Sequence, residues 1–379
     1  MNRGDRWLLV LPLLLTALGV IMVYSSSTIL GITRYQDPSY FLGREVLRAV
    51  LGVALLFLVA AKADLKKLER GAPAFLALAV LLLLLVIAVG HPANGATRQF
   101  RVGLLSLSPI DLARLAAVAF LAFWLKRRPP AEHGFVRGLL PPLALVGAVA
   151  ALVLKQPNLS SALLLVATGI GMLFLAGARV RHLSVPFGAG LLGLPVVLKL
   201  HSYQLERVHT YWRFLFTGAL DRQGAGWNLD QSLIAIGSGG WFGRGPGGSL
   251  QKYLFLPEAH TDFIFSILAE ELGFLGATLL LGLFALLLWR AVRVMARAED
   301  PFSFLLAGGL TLQIGLYAVV NVAVATGMVP TTGLPLPFVS YGGSALLANL
   351  AAAGLLYRVS VANGSAEALV RQRWAAGRP

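Results

Sequence analysis

The sequence predicts an all-α polytopic membrane protein with about ten transmembrane helices. Three observations carry that reading. The 379 residues are 57% hydrophobic and 13% charged, with a mean hydropathy of +0.75, which does not fit a soluble globular domain. Apolar runs such as 76–89 and 279–288 lie in windows near the roughly 20 residues that a helix needs to cross a bilayer. Basic residues fall in short clusters between those runs, as they do when they set membrane orientation. The net charge of +15 and the pI of about 10.6 therefore argue for membrane topology and not for nucleic acid. The chain has no cysteine, which excludes a disulfide framework and a thiolate metal site.

The spans run in order over 7–27, 44–61, 72–90, 109–125, 138–154, 158–177, 182–200, 262–290, 302–327 and 340–360. Each should be helical, because a lone segment in lipid must satisfy its own backbone hydrogen bonds. The first has a basic start and an apolar run like a signal peptide. It lacks a convincing small-residue cleavage site and reads as a retained helix. No internal repeat is visible.

Orientation follows from the short loops. Arg3 and Arg6, then Lys62, Lys66, Lys67 and Arg70, then Lys126, Arg127, Arg128 and Arg137 mark alternate connections, continued by Arg179 and Arg181 and by Arg290, Arg293 and Arg297. The connections between carry only Arg34 and Arg44, Arg98 and Arg101, and Lys155. The richer set faces the cytoplasm, which puts both termini inside a cytoplasmic (inner) membrane and a large loop, about 201–260, outside between helices 7 and 8.

That loop holds Arg207, Arg213, Arg222, Arg244 and Lys252 among the aromatics Tyr211, Trp212, Trp227, Trp241 and Tyr253, and a glycine-rich run over 237–248. Two readings stand level on chemistry alone. Glycines and arginines can cradle an anion, or the aromatics can simply lie at the headgroups. The run lacks the Gly-Lys-Ser/Thr of a Walker motif. Just beyond it, Pro257-Glu258-Ala259-His260-Thr261-Asp262 opens an apolar helix. An ionisable residue at membrane depth costs about 2.5–3.5 kcal/mol on insertion scales and is usually kept for function. Asp262 is the first candidate for chemistry, with helix capping as its competing role.

The segments KYLFLPEAHTDFIFSILAEELGFLG over 252–276 and GMVPTTGLPLPFVSYGGS over 327–344 resemble the signature segments of the SEDS family (shape, elongation, division and sporulation). QSLIAIGSGGWFGRG over 231–245, KQPNLSSALL over 155–164 and residues 95–114 support the likeness. The resemblance covers most of the chain as one membrane domain over 1–379. It implies a peptidoglycan glycosyltransferase that polymerises lipid II, an undecaprenyl-diphosphate-linked disaccharide peptide, at the outer face of the membrane. GSLQK over 248–252 and LAGARVRHL over 175–183 favour the FtsW-like division branch, whereas FLPE over 255–258 and LAEE over 268–271 lean toward the RodA-like elongation branch. Six residues at four places depart from the family pattern, at Asn158, Ser160-Ser161, Ser108 and Gln99-Phe100, so no substrate contact is carried over there.

The resemblance makes Asp262 the general base that takes the acceptor hydroxyl proton. Cations would stabilise charge on the leaving diphosphate. The expected substrate-binding residues are Lys252, Arg244, Arg207, Arg213 and Arg101, with His260 and Glu258 flanking, Ser340 and Tyr341 on the cavity rim, and Glu270 below. Glu270 is eight residues past Asp262, about 12 Å along a helix. Arg48 is a potential partner for Glu270 or Glu271. Asp111 and Arg114 form an i,i+3 structural pair. The prolines of 330–337 break the helix and place an irregular loop at the rim. The six histidines show no ligand spacing, so no protein metal site is expected. A divalent cation, magnesium or manganese, bridging the diphosphate is compatible with the chemistry. The implied partners are a class B penicillin-binding transpeptidase, other divisome or elongasome membrane proteins and membrane lipid. A lipid II flippase or other transporter and a non-catalytic scaffold are the rival classes.

Overall fold

A computed structural model describes residues 4–89, 91–93, 96–102, 105–200, 202–218, 224 and 226–375. The chain folds mostly into helices. These are α1 (Trp7–Tyr35), α2 (Tyr40–Lys62), α3 (Leu65–Val89), α4 (Pro109–Arg127), the short α5 (Pro130–His133), α6 (Leu140–Leu154), α7 (Leu159–Leu175) and α8 (Val180–Leu200), followed by α9 (Ser202–Thr217), α10 (Trp227–Gly239), α11 (Ile264–Ala296), α12 (Pro301–Ala325) and α13 (Gly343–Ala375). A π-helical turn, Gly134–Leu139, joins α5 to α6.

Among the described residues six helical segments are long and apolar enough to cross a membrane: Trp7–Tyr35, Leu65–Val89, Pro130–Leu154, Ile264–Ala296, Pro301–Ala325 and Gly343–Gly364. The chain is therefore a multi-pass helical membrane protein. The other four predicted spans fall on α2, α4, α7 and α8. Large apolar side chains such as Ile21, Leu81, Leu279 and Val319 are 60% or more exposed, which suits a surface solvated by lipid. Inward faces follow helical spacing: α1 buries Leu8, Leu11, Leu15, Gly19, Met22 and Val23. Gly19 has a specific reason. A Cβ there would lie 2.7 Å from the carbonyl oxygen of Phe338, so glycine lets the proline-rich loop press onto α1.

Helix ends follow local chemistry. Asp300 caps α12 by accepting from the Ser303 N–H at 3.1 Å, with Pro301 in the first turn. The predicted basic loops gather at one end of the bundle. There Lys126 pairs with Glu69 at 2.9 Å and Asp300 at 2.8 Å, Arg290 with Asp5 at 3.5 Å, and Arg358 donates to the Ala63 carbonyl at 2.7 Å.

Three features correct the expected layout. The chain is not purely α-helical: β1 (His91–Ala93), β2 (Ala96–Val102) and β3 (Leu105–Leu107) form a small antiparallel sheet in the order β1-β2-β3. Phe100, Val102 and Leu107 alternate there with polar residues, a pattern that fits a pleated, half-covered hairpin better than a helix. The loop of 201–260 contains two helices, α9 and α10. Finally, α11 is interrupted at Gly273, whose φ of 68° and ψ of −166° belong to no helix.

Candidate functional site

The turn before α11 is built around Glu258. Its φ is 53°, and its carbonyl accepts from the N–H groups of Thr261 at 3.2 Å, Asp262 at 3.0 Å and Phe263 at 3.4 Å. A non-glycine residue at positive φ stores strain that the surroundings must impose. The Glu258 carboxylate is exposed and accepts from the Thr261 hydroxyl at 3.1 Å. Helix α11 then starts at Ile264 with Phe263 in the N-cap position. Asp262 thus stands one residue outside the capping position, which weakens the capping reading.

Asp262 is half-buried and held through its backbone. Its carbonyl accepts from Asn321 Nδ2 of α12 at 2.8 Å, and the same amide donates to the Leu334 carbonyl at 2.7 Å. Gly333 faces the carboxylate, because a Cβ there would sit 3.5 Å from Asp262 Oδ2. The proline-rich segment runs irregularly between α12 and α13, as expected, with Phe338 at φ 65°. Ser340 is 4% exposed; its N–H donates to the Leu336 carbonyl at 3.0 Å and its Oγ accepts from the Leu336 N–H at 2.8 Å. It locks the turn of the loop.

Tyr341 joins the loop to the Asp262 segment through its N–H, which donates to the His260 carbonyl at 3.0 Å. The His260 ring packs between Phe41 at 4.9 Å and Tyr341 at 5.3 Å. Burial pushes its pKa down from 6.5 to about 4, with Glu258 opposing and Arg34 adding to the fall. His260 is therefore a neutral wedge at neutral pH and not a fixed cation for phosphate. The unfolded chain takes up that proton near 6.5, so folding stability should fall as pH drops from about 6.5 toward 4. Melting temperatures at pH 7.5 and 5.0 test this: wild type should lose stability, and His260→Phe should lose less.

The predicted cations divide into two groups. Arg207 of α9 reaches the loop, donating to the Thr331 carbonyl at 3.2 Å, and Tyr211 donates to the Met328 carbonyl at 2.5 Å. Arg213 lies exposed on the same helix. Arg101 lies on β2 opposite Ser106, and Ser106 abuts Gly343, where a Cβ would come within 2.8 Å of its Oγ. The Arg101 side chain lies outside the described residues, as does Arg222.

Lys252, Arg244 and Glu270 tie the glycine-rich run to broken α11. Glu270 is fully buried and accepts from Ser249 Oγ at 2.5 Å, the Leu250 N–H at 2.9 Å and the Gln251 N–H at 3.3 Å, while Arg244 lies 3.7 Å away. Lys252 donates to the Gly247 carbonyl at 2.6 Å and to Ser25 and Glu271 at 3.2 Å each. The run docks by backbone, since Arg244 N–H donates to the Glu270 carbonyl at 3.0 Å, Gly245 N–H to Glu271 at 3.0 Å and Phe274 N–H to Gly240 at 2.8 Å. Gly239 and Gly243 of this run serve close chain approach. Lys252→Met should cost about 3–5 kcal/mol by leaving Glu271 charged and buried without its cation. Thermal unfolding checks this against a Lys252→Met, Glu271→Gln double variant, which should recover part of the loss.

Arg48 corrects another expectation. It pairs with neither Glu270 nor Glu271 but with Glu45 at 3.4 Å, and its guanidinium carbon lies 4.4 Å over the Tyr341 ring. Asp111 and Arg114 form the expected pair at 3.4 Å, completed by Ser344 Oγ at 2.6 Å on Asp111 and Asn349 at 3.2 Å on Arg114.

This arrangement coincides with a known family. Residues 5–364 match the family model of the FtsW/RodA/SpoVE cell cycle proteins. The chain belongs to that family. It is 42% identical over 368 residues to the probable peptidoglycan glycosyltransferase FtsW of Alkalilimnicola ehrlichii, covering 94% of this chain and 89% of the relative. It is 38% identical over 361 residues to the stage V sporulation protein E of Bacillus subtilis, covering 94% and 96%. Its fold is similar to the rod shape determining protein RodA of Thermus thermophilus, with a TM-score of 0.69, 32% identity and coverage of 94% and 96%. It is also similar to a chain from a peptidoglycan synthase complex solved for its coordination of polymerization and crosslinking, with a TM-score of 0.77, 35% identity and coverage of 95% and 98%.

Sequence reasoning missed three residues at this FtsW/RodA/SpoVE-type site. Asn321 is a buried polar residue within an apolar span, a signal that intramembrane polarity makes readable. Glu45 precedes Arg48 by three residues, which is pairing distance on a helix. Gly333 was read only as loop, and nothing in its spacing shows that it faces Asp262.

Proposed function

We propose that this chain is a peptidoglycan glycosyltransferase that polymerises lipid II at the outer face of the cytoplasmic membrane, with Asp262 as general base. The carrying observation is the half-buried Asp262 carboxylate facing Gly333, in a segment held from behind by Asn321. The acceptor sugar's 4-hydroxyl gives its proton to Asp262 as its oxygen attacks the donor's anomeric carbon. The bond from that carbon to the diphosphate oxygen breaks, and undecaprenyl diphosphate leaves with the electron pair. Asp262 then releases the proton to water outside. Arg207, Arg213 and Arg101 are the cations for the diphosphate. Glu258, His260, Ser340 and Tyr341 shape the surrounding wall. Among the described residues no three histidine, aspartate or glutamate side chains converge as a metal site. A magnesium or manganese ion would therefore be held chiefly by diphosphate oxygens.

All ten predicted spans cross the membrane in this reading, as one domain over 1–379. Both termini are cytoplasmic and 201–260 is outside. The gathering of the basic loops at one end supports that orientation. The division branch is favoured by curated relatives named FtsW at 37–42% identity, against 32% for the solved RodA. Likeness to a complex that coordinates polymerization and crosslinking supports a class B penicillin-binding transpeptidase as partner, alongside other divisome proteins and membrane lipid.

Purified chain, with and without the transpeptidase, should convert lipid II into glycan strands resolved on a gel. Lipid II movement across liposomes without strands would favour a flippase. Strands that form equally well without this chain would favour a scaffold.

A further inference from the structure

We infer that Asn321 is the positioning residue for this reaction, setting where the Asp262 carboxylate stands relative to the proline-rich loop; the inference rests on Asp262 being the base. Asn321 is 1% exposed on α12, a helix fixed by its Asp300 cap and by burial of its neighbours. Its amide has two N–H donors, and Nδ2 meets two backbone carbonyls, Asp262 at 2.8 Å and Leu334 at 2.7 Å. Two carbonyl acceptors settle the amide orientation, since the oxygen face would repel both. Oδ1 is buried with no hydrogen-bond partner among the described residues, so the donor pair is what this residue contributes.

The two carbonyls belong to the two segments that meet at the Asp262 carboxylate. One belongs to Asp262 itself. The other belongs to the residue after Gly333, which faces the Asp262 carboxylate. A single side chain on a packed helix therefore ties the Asp262 segment to the proline-rich loop. Asn321 acts on the Asp262 backbone and would not touch substrate. A misplacement of about 1 Å at such a distance from the chemistry can cost on the order of 10²-fold in rate, so the effect belongs in turnover and not in binding.

The test is steady-state polymerisation of lipid II by the purified full chain with its transpeptidase partner. Wild type is compared with Asn321→Ala, Asn321→Asp, Asn321→Ser and Asp262→Ala, each with a melting temperature. Asn321→Ala should lower kcat about 10- to 100-fold with KM for lipid II within about two-fold. Asn321→Asp, similar in shape but without the donors, should be at least as slow. Asn321→Ser retains one donor in a small side chain and should lie between alanine and wild type. A merely structural role would lower melting temperature and the active fraction without this split of kcat from KM and without the serine rescue. If Asp262→Ala is inactive while Asn321→Ala keeps kcat within about two-fold of wild type, the positioning role is overturned and the base stands. If Asp262→Ala keeps full activity, the base assignment itself falls, and the positioning role with it.

Discussion

Replacing Asp262 by alanine should lower lipid II polymerisation by about 10²–10⁴-fold, the range for loss of a general base, while the protein still folds. Two ties at this position are made by the backbone and survive the change. The Asp262 N–H donates to the Glu258 carbonyl at 3.0 Å, and its carbonyl accepts from Asn321 at 2.8 Å. Neither uses the carboxylate. The N-cap of α11 is Phe263, so capping is also kept. Asp262→Asn sharpens the result, since it retains shape and polarity and removes only the basic oxygen. Both variants should bind lipid II with near wild-type affinity and yield no strands. An asparagine variant that polymerises at half the wild-type rate would show that the residue is not the base.

Gly243→Ala should be the most damaging small substitution in the glycine-rich run. Gly243 has a φ of 79°, and a Cβ there would lie 2.1 Å from the carbonyl oxygen of Glu271 and 2.6 Å from the Gly273 nitrogen. Both obstacles are backbone and cannot swing aside. The left-handed conformation costs about 1–2 kcal/mol for a non-glycine residue, and overpacking adds about 1–3 kcal/mol. Undocking the run would also strip hydrogen bonds from broken α11, where Arg244 and Gly245 N–H groups satisfy the carbonyls of Glu270 and Glu271. Gly245→Ala is the internal control. Its φ is 89°, but nothing lies within 4 Å of its Cβ position, so it carries only the conformational cost. Thermal unfolding of the two variants should separate clearly, with Gly243→Ala the lower. Equal melting temperatures would mean that the run is not docked as described.

Much of the membrane architecture was legible because lipid imposes it. An apolar stretch of fixed length has one way to satisfy its backbone, so predicted spans and observed helices coincide along the chain. The signature around Asp262 was legible too, because a carboxylate and an imidazole in a greasy chain are costly enough to stand out. The charges beyond it were harder to read. Lys252 and Arg244 were expected at substrate, yet they face Glu271 and Glu270. A lysine or arginine reads the same in sequence whether it meets a diphosphate or a buried carboxylate nineteen or twenty-six residues away. The glycine-rich run carried the same ambiguity, because glycine suits both an anion cradle and a tight backbone crossing.

By itself the sequence determined the helical class, the positions of the apolar runs, the alternation of basic loops and the family, and it singled out Asp262 as the candidate for chemistry, all from local composition or short motifs. Only the tertiary structure decided which charges pair, where α11 breaks, and that Asn321 and Gly333 stand behind and in front of Asp262. Those outcomes depend on contacts between residues 59 and 13 positions from Asn321. Such meetings follow from how packed helices align, which periodicity along a single chain does not encode.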